Sequence, residues 1–199
     1  METRIHLVRH GETLWNRQLR CQGHTDVPLS DIGRQQATEL AQRLAGLPLA
    51  AIYSSDLQRA FETARLIAAP HGLQVTPLTS LRERNMGRWE GLTVAERQQQ
   101  SPAIWTRWEA GEKDVPVMGL EPFETMVDRL FRTLMELAAR HPGGEVLAVS
   151  HGGCIASVLG WVGVSGGAKG PYLGNCSVTP LVTADGRTWR LDRAPEATA

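Results

Sequence analysis

The sequence predicts an α/β fold of three layers, with helices on both sides of a mostly parallel central sheet and a small helical cap. Short apolar runs and helical periods alternate from the first residues onward, the pattern of strand–helix–strand units. The run from Glu145 to Val149 is wholly apolar in its middle, as a central strand covered on both faces must be. Leu92 to Gly119 has another texture, with Gln98-Gln99-Gln100, Trp105 and Trp108 among mixed charges. That stretch suits helical material inserted outside the sheet.

Ile5 to Val8 is the first strand. Pro28-Leu29-Ser30 announces a helix with Ser30 at its N-cap. Ala37, Leu40, Ala41 and Leu44 then recur at helical spacing, and Gly46 ends the run. Ala50 to Tyr53 is a second strand. Ser55 and Gln58 have the form of a capping box, opening a helix through Ala60, Ala64 and Ile67 to about Ala69. Leu73 to Val75 is a short third strand.

A long amphipathic helix is expected from about Glu121, with Pro122 in its first turn. Phe123, Met126, Val127, Leu130, Leu134 and Leu137 form its apolar face, and Pro142-Gly143-Gly144 follows it. After the strand at Glu145–Val149, Ser150-His151-Gly152-Gly153 leads into a helix through Ile155, Val158, Leu159 and Val162. Strands around Ser177–Val182 and Thr188–Leu191 close the pattern. Ser165 to Gly170 reads as a flexible glycine-rich loop lacking Walker spacing, and the tail from Ala194 as frayed.

The 199 residues fit a single domain over 1–199, with the cap at about 92–120. Lys+Arg and Asp+Glu each number 21, so bulk charge advertises neither nucleic acid nor an anionic membrane as partner. Cys21, Cys154 and Cys176 are odd in number and far apart. They suggest neither a disulfide scaffold nor a cysteine metal site, and fit a reducing cytoplasm. The opening METRIHLVRH has no apolar leader core, and no window approaches a membrane span. A homodimer is the default among soluble oligomers.

Ligands of such sheets bind beyond the carboxyl ends of the strands. Arg9-His10 follows one strand, Ser54-Ser55 with Arg59 follows another, and His151 follows a third. Arg9 and Arg59 offer planar cationic forks matched to phosphoryl oxygens. A neutral imidazole between them can serve as a nucleophile rather than only as a base.

The blocks LVRHGETLWN, CQGHTDVPLSDIG, YSSDLQRAFETA, LRERNMGRWEG and VSHGG occur in this order from residue 5 to about 180. Together they resemble the successive motifs of the histidine phosphatase superfamily, with its phosphoglycerate mutase-like fold. The resemblance implies that His10 is the nucleophile, forming a phosphohistidine, and that Glu83 is the general acid. It places His151, taken as protonated, with Arg9, Arg59 and Asn16 around the phosphoryl group, and Gln22 and Gly23 against the substrate. No metal and no cofactor are implied; the partner is a small-molecule phosphomonoester.

Taken alone, Glu83 between Arg82 and Arg84 also fits a solvated ion pair, and Asn16 fits a turn cap. His6, His24, His71 and His141 lack paired ligand spacing, and Trp89 reads as core. The resemblance leaves three activities open. One is a phosphomonoesterase, nearest to the family's broad-specificity and alpha-ribazole phosphatases. The second is a phosphoglycerate mutase-type phosphoryl transfer, and the third a non-catalytic phosphate-binding protein. The cap favours hydrolysis of a bulky or partly apolar ester. Its Arg97, Arg107 and Lys113 are outnumbered by Glu96, Glu109, Glu112 and Asp114, and it carries Trp105 and Trp108. One departure stands out: many members have Gly-Gly-Glu-Ser before the long helix, where this chain has Gly119-Leu120-Glu121-Pro122.

Overall fold

The computed structural model describes residues 1–164 and 173–194. Its strands are β1 (Thr3–Arg9), β2 (Leu49–Ser54), β3 (Val75–Pro77), β4 (Glu145–Ser150), β5 (Val178–Thr183) and β6 (Arg190–Leu191). They form one sheet in the order β3-β2-β4-β1-β5-β6. β3, β2, β4 and β1 run parallel, while β5 is antiparallel to β1 and β6 to β5. The helices are α1 (Leu14–Arg17), α2 (Asp31–Leu44), α3 (Gln58–Ala68), α4 (Val94–Gln100), α5 (Pro102–Glu109), α6 (Phe123–Arg140) and α7 (Gly152–Trp161).

The layers follow from strand alternation, which sends successive side chains to opposite faces. Ile5 and Leu7 of β1, with Val146 and Ala148 of β4, meet Met126, Leu130, Leu134 and Leu137 of α6 and Ile155 and Val158 of α7. Val8, Leu147 and Val149 point the other way, onto Ala37, Leu40 and Leu44 of α2 and Ala60, Ala64 and Ile67 of α3. Both faces are therefore covered, which is why β4 is a continuous apolar run. Truncating a fully buried member such as Leu134 to alanine costs about 3 kcal/mol.

The cap has its own small core. Met86, Trp89, Trp105 and Val115 are buried together, so Trp89 is core as expected. The Arg97 guanidinium lies over the rings of Trp89 and Trp105. α4 opens on a capping box of Thr93 and Glu96, and α5 starts on Pro102.

Several boundaries differ from the sequence reading. Ser30 does cap α2, accepting from the Gly33 N–H. Ser55 does not cap α3: the helix begins at Gln58, whose N–H donates to Asp26 Oδ1 at 2.7 Å. The cap comes from a distant loop, which local spacing cannot reveal. β3 lies at Val75–Pro77 rather than Leu73–Val75, because its register is set by pairing with Ile52–Ser54; Pro77 is tolerated on an edge strand. α6 starts at Phe123, with Pro122 just outside it. The Phe123 N–H donates to Asp114 Oδ1 at 2.8 Å, so the side-chain partner at the start of α6 is Asp114. α1 has no counterpart in the sequence reading. The glycine-rich loop at 165–170 lies outside the described residues, as do 195–199 of the tail.

Candidate active site

The register of β1 against β4 pairs Arg9 with Ser150. His10 and His151, each one residue further on, therefore emerge side by side, their ring centroids 5.2 Å apart. The His10 backbone is pinned on both sides. Its N–H donates to Ser150 O at 3.1 Å, and its carbonyl accepts from Asn175 Nδ2 at 3.0 Å.

His10 Nδ1 lies 2.7 Å from the Gly11 carbonyl oxygen. A carbonyl can only accept, so Nδ1 carries the proton and Nε2 keeps its lone pair. Burial drives the His10 imidazole well below its ordinary value of 6.5, and the Arg59 and Arg9 charges push it further down. The ring is thus neutral, with Nε2 free of a proton.

Arg59 is fully buried. Its Nη1 donates to Thr25 O at 2.9 Å and its Nη2 to Gly23 O at 2.8 Å. Burial lowers its pKa to about 10, with Glu83, Asp26 and Glu90 holding it up, so it remains a cation at neutral pH. Arg9 donates through Nη1 to the Leu173 carbonyl.

His151 is also fully buried, and neither ring nitrogen has a hydrogen-bond partner among the described residues. Burial, Arg59 and His10 hold it well below 6.5. Burial and the neighbouring cations thus work against the protonated ring that the sequence reading expects at His151.

Glu83 meets this cluster through its carboxylate. Oε2 accepts from the Gly153 N–H at 2.9 Å and Oε1 from the Arg84 N–H at 2.9 Å. Its flanking arginines are committed elsewhere: Arg82 pairs with Asp56 at 2.6 Å, and Arg84, the buried one, with Asp114 at 2.6 Å. Asn16 Oδ1 closes the capping box of α1, accepting from the Thr13 N–H at 3.0 Å. Gln22 Oε1 accepts from the Thr13 hydroxyl at 3.0 Å.

Arg9, His10, Asn16, Gln22, Gly23, Arg59 and Glu83 all line one cavity of about 1260 Å³. His151 is not on its wall but backs His10. Trp108 of the cap lines the cavity, whereas Trp105 lies in the cap core. The far end is apolar, with Met126, Val127, Phe131, Trp161, Val164 and Leu173. Among the described residues no group of three or more His, Cys, Asp or Glu side chains is placed to hold a metal ion. No helix among them is long and apolar enough to cross a membrane.

Two residues near the site escape sequence reasoning. His24 bonds through Nε2 to the Glu83 carbonyl oxygen at 2.7 Å, and Glu90 gathers four hydrogen bonds from residues 24, 25 and 86. Neither has a spacing signal; the pointers are the blocks that contain them, CQGHTDVPLSDIG for His24 and GRWEG for Glu90.

Parallel strands that deliver Arg-His at one carboxyl end and histidine at the next define an α/β protein with an arginine and imidazole cluster at one sheet edge. This chain belongs to the histidine phosphatase superfamily (branch 1), whose family model matches residues 5–196. Phosphoglycerate mutase-like protein 4 of Arabidopsis thaliana is 38% identical over 190 residues, covering 94% of this chain and 82% of that protein. Metal-independent phosphoserine phosphatase, also of Arabidopsis thaliana, is 34% identical over 194 residues, covering 96% and 80%. Among solved structures, a mycobacterial glucosyl-3-phosphoglycerate phosphatase complexed with VO3 superposes with a TM-score of 0.86 at 33% identity, covering 98% of this chain and 99% of that one.

Proposed function

We propose that this chain is a phosphomonoesterase that hydrolyses a small phosphate ester through a phosphohistidine on His10. The observation that carries it is the His10 ring itself: Nδ1–H is tied to Gly11 O, and Nε2 is free in a pocket flanked by Arg9 and Arg59. The relatives' printed activities, on phosphoserine and glucosyl-3-phosphoglycerate, support the same chemistry.

In the first half-reaction Nε2 attacks phosphorus and the ester P–O bond breaks. The departing oxygen takes its proton from Glu83, and the alcohol leaves. In the second, water gives a proton back to Glu83 and attacks phosphorus; the N–P bond breaks, releasing inorganic phosphate and restoring Nε2. Arg9 and Arg59 hold the equatorial oxygens as charge spreads over them, with Asn16 at the rim. His151 backs His10 with ring centroids 5.2 Å apart, and its two buried nitrogens, without partners among the described residues, are open to a phosphoryl group that seats deeper than the cavity wall. Gln22 and Gly23 border the leaving group.

Hydrolysis is favoured over mutase chemistry by how the cap's cations are used. Arg107 pairs with Glu112 at 2.5 Å, Arg97 stacks on Trp89 and Trp105, and Lys113 reaches the cavity. That is a sparse grip for a small polyanion. A cavity of about 1260 Å³ with an apolar far end suits an alcohol of some bulk; alpha-ribazole phosphate is one candidate among many. The three free thiols, two of them buried, accord with a chain working in the cytoplasm.

The test is hydrolysis of p-nitrophenyl phosphate in EDTA, beside His10→Ala and an assay of 3- to 2-phosphoglycerate conversion. Chelator-resistant phosphate release that vanishes in H10A is the expected result. Efficient isomerisation with little phosphate release would replace hydrolysis by mutase chemistry. Phosphate binding without turnover would make the chain a non-catalytic binder.

A further inference from the structure

Glu90 spends both carboxylate oxygens on neutral donors of the site's walls. Oε1 accepts from the N–H groups of His24 at 2.8 Å and Met86 at 3.0 Å. Oε2 accepts from the N–H of Thr25 at 2.8 Å and its hydroxyl at 2.6 Å. Glu90 is not itself on the cavity wall.

The same segment holds Arg59 through Gly23 O and Thr25 O. The peptide group joining Gly23 to His24 therefore accepts from a guanidinium at its carbonyl and donates to a carboxylate at its N–H. Charge at both ends polarises the amide in one direction and strengthens both bonds. The approach is close: Gly23 has φ +50°, and a Cβ built there would lie 2.1 Å from Glu90 Oε1. Any other residue there would strain the backbone and displace the Glu90 carboxylate.

The clamp extends to the acid. His24, whose backbone Glu90 fixes, donates through Nε2 to the Glu83 carbonyl at 2.7 Å. A single carboxylate thus braces the segment bearing the cradle of Arg59 and the histidine that supports Glu83.

We propose that Glu90 is a positioning residue for phosphoryl transfer, setting the reach of Arg59 by clamping residues 23–25 against residue 86. The proposal stands on the assignment of Arg59 as a phosphate ligand. Glu90→Gln keeps the size of the side chain but turns an amide NH2 toward at least one backbone N–H, so at least one of the four bonds is lost.

A double-mutant cycle of Glu90→Gln with Arg59→Met tests it, reading inhibition by orthovanadate together with kcat and KM. With Arg59 present, E90Q is expected to weaken vanadate inhibition by about tenfold and lower kcat/KM by roughly 10- to 100-fold, while adding almost nothing in the R59M background. An equal loss in both backgrounds, or no loss in either, overturns the role of Glu90. An unchanged vanadate constant in R59M instead overturns Arg59 as a phosphate ligand. If E90Q does not fold, Glu90→Asp, which keeps the charge but withdraws it by one methylene, enters the same cycle with the same outcomes.

Discussion

The Glu83 carboxylate accepts a hydrogen bond from the backbone N–H of Gly153 at 2.9 Å, in the first turn of the helix that follows His151. A Cβ on residue 153 would come within 2.7 Å of Glu83 Oε1. Gly153→Ala is therefore expected to push the carboxyl aside. Helix propensity favours alanine by up to about 1 kcal/mol, so stability should hold or rise. The expected result is a fall in kcat of about tenfold or more with an unchanged or higher Tm. Full activity in G153A would remove Glu83 from the acid role.

Trp161 is 51% exposed, lies on the cavity wall and packs on Phe131 with ring centroids 4.4 Å apart. Its truncation should spare the fold and remove apolar surface from the far end of the cavity. For W161A, kcat/KM toward an aromatic phosphate ester is expected to drop about tenfold relative to glycerol phosphate. An unchanged ratio would place the alcohol elsewhere.

Buried neutral histidines make stability depend on pH in a defined direction. His10 and His151 both lie well below 6.5 in the folded chain, chiefly through burial, and burial lowers His6 too. Below 6.5 the unfolded chain binds protons that the native chain refuses, so stability is lost as pH falls. Each strongly shifted histidine contributes up to about 1.4 kcal/mol per pH unit. Urea midpoints are expected to decline from pH 7 to 5, and His151→Gln should flatten that slope. Paired carboxylates such as Asp56 and Glu121 are held down and act only below the ordinary carboxylate range, in a separate window. A midpoint independent of pH over 7 to 5 would contradict the burial of neutral rings.

Asp114 joins cap to core, accepting from the Phe123 N–H at 2.8 Å and pairing with Arg84 at 2.6 Å. Asp114→Ala removes the N-terminal partner of α6 and leaves a buried guanidinium with carbonyl acceptors alone. A loss of about 1–2 kcal/mol in urea unfolding is expected. Asp114→Asn, which can still accept, should recover part of it.

The core of the fold was legible because hydrophobic period and strand position are local properties. β1, β4 and the apolar faces of α2, α3 and α6 follow from spacing alone. The paired residues at strand ends were legible because a parallel sheet sends its carboxyl ends to one side. What escaped is tertiary. The cap of α3 comes from Asp26, and that of α6 from Asp114. The antiparallel course of β5 depends on its partner, and Glu90 between Trp89 and Gly91 looks like any surface glutamate until residues 23–25 fold over it.

The pairing of Arg9 with Ser150 has a consequence for how the site comes into being. Residues at opposite ends of most of the chain must meet before His10 and His151 are neighbours. Closing so long a loop adds little to the free energy but slows assembly. The neighbouring rings are also a gauge of register: a slip of one residue would turn one histidine to the wrong face of the sheet. On the proposed phosphohistidine route, phosphoryl transfer begins only in a molecule whose central strands have already found their final alignment, and the first turnover reports that folding is finished.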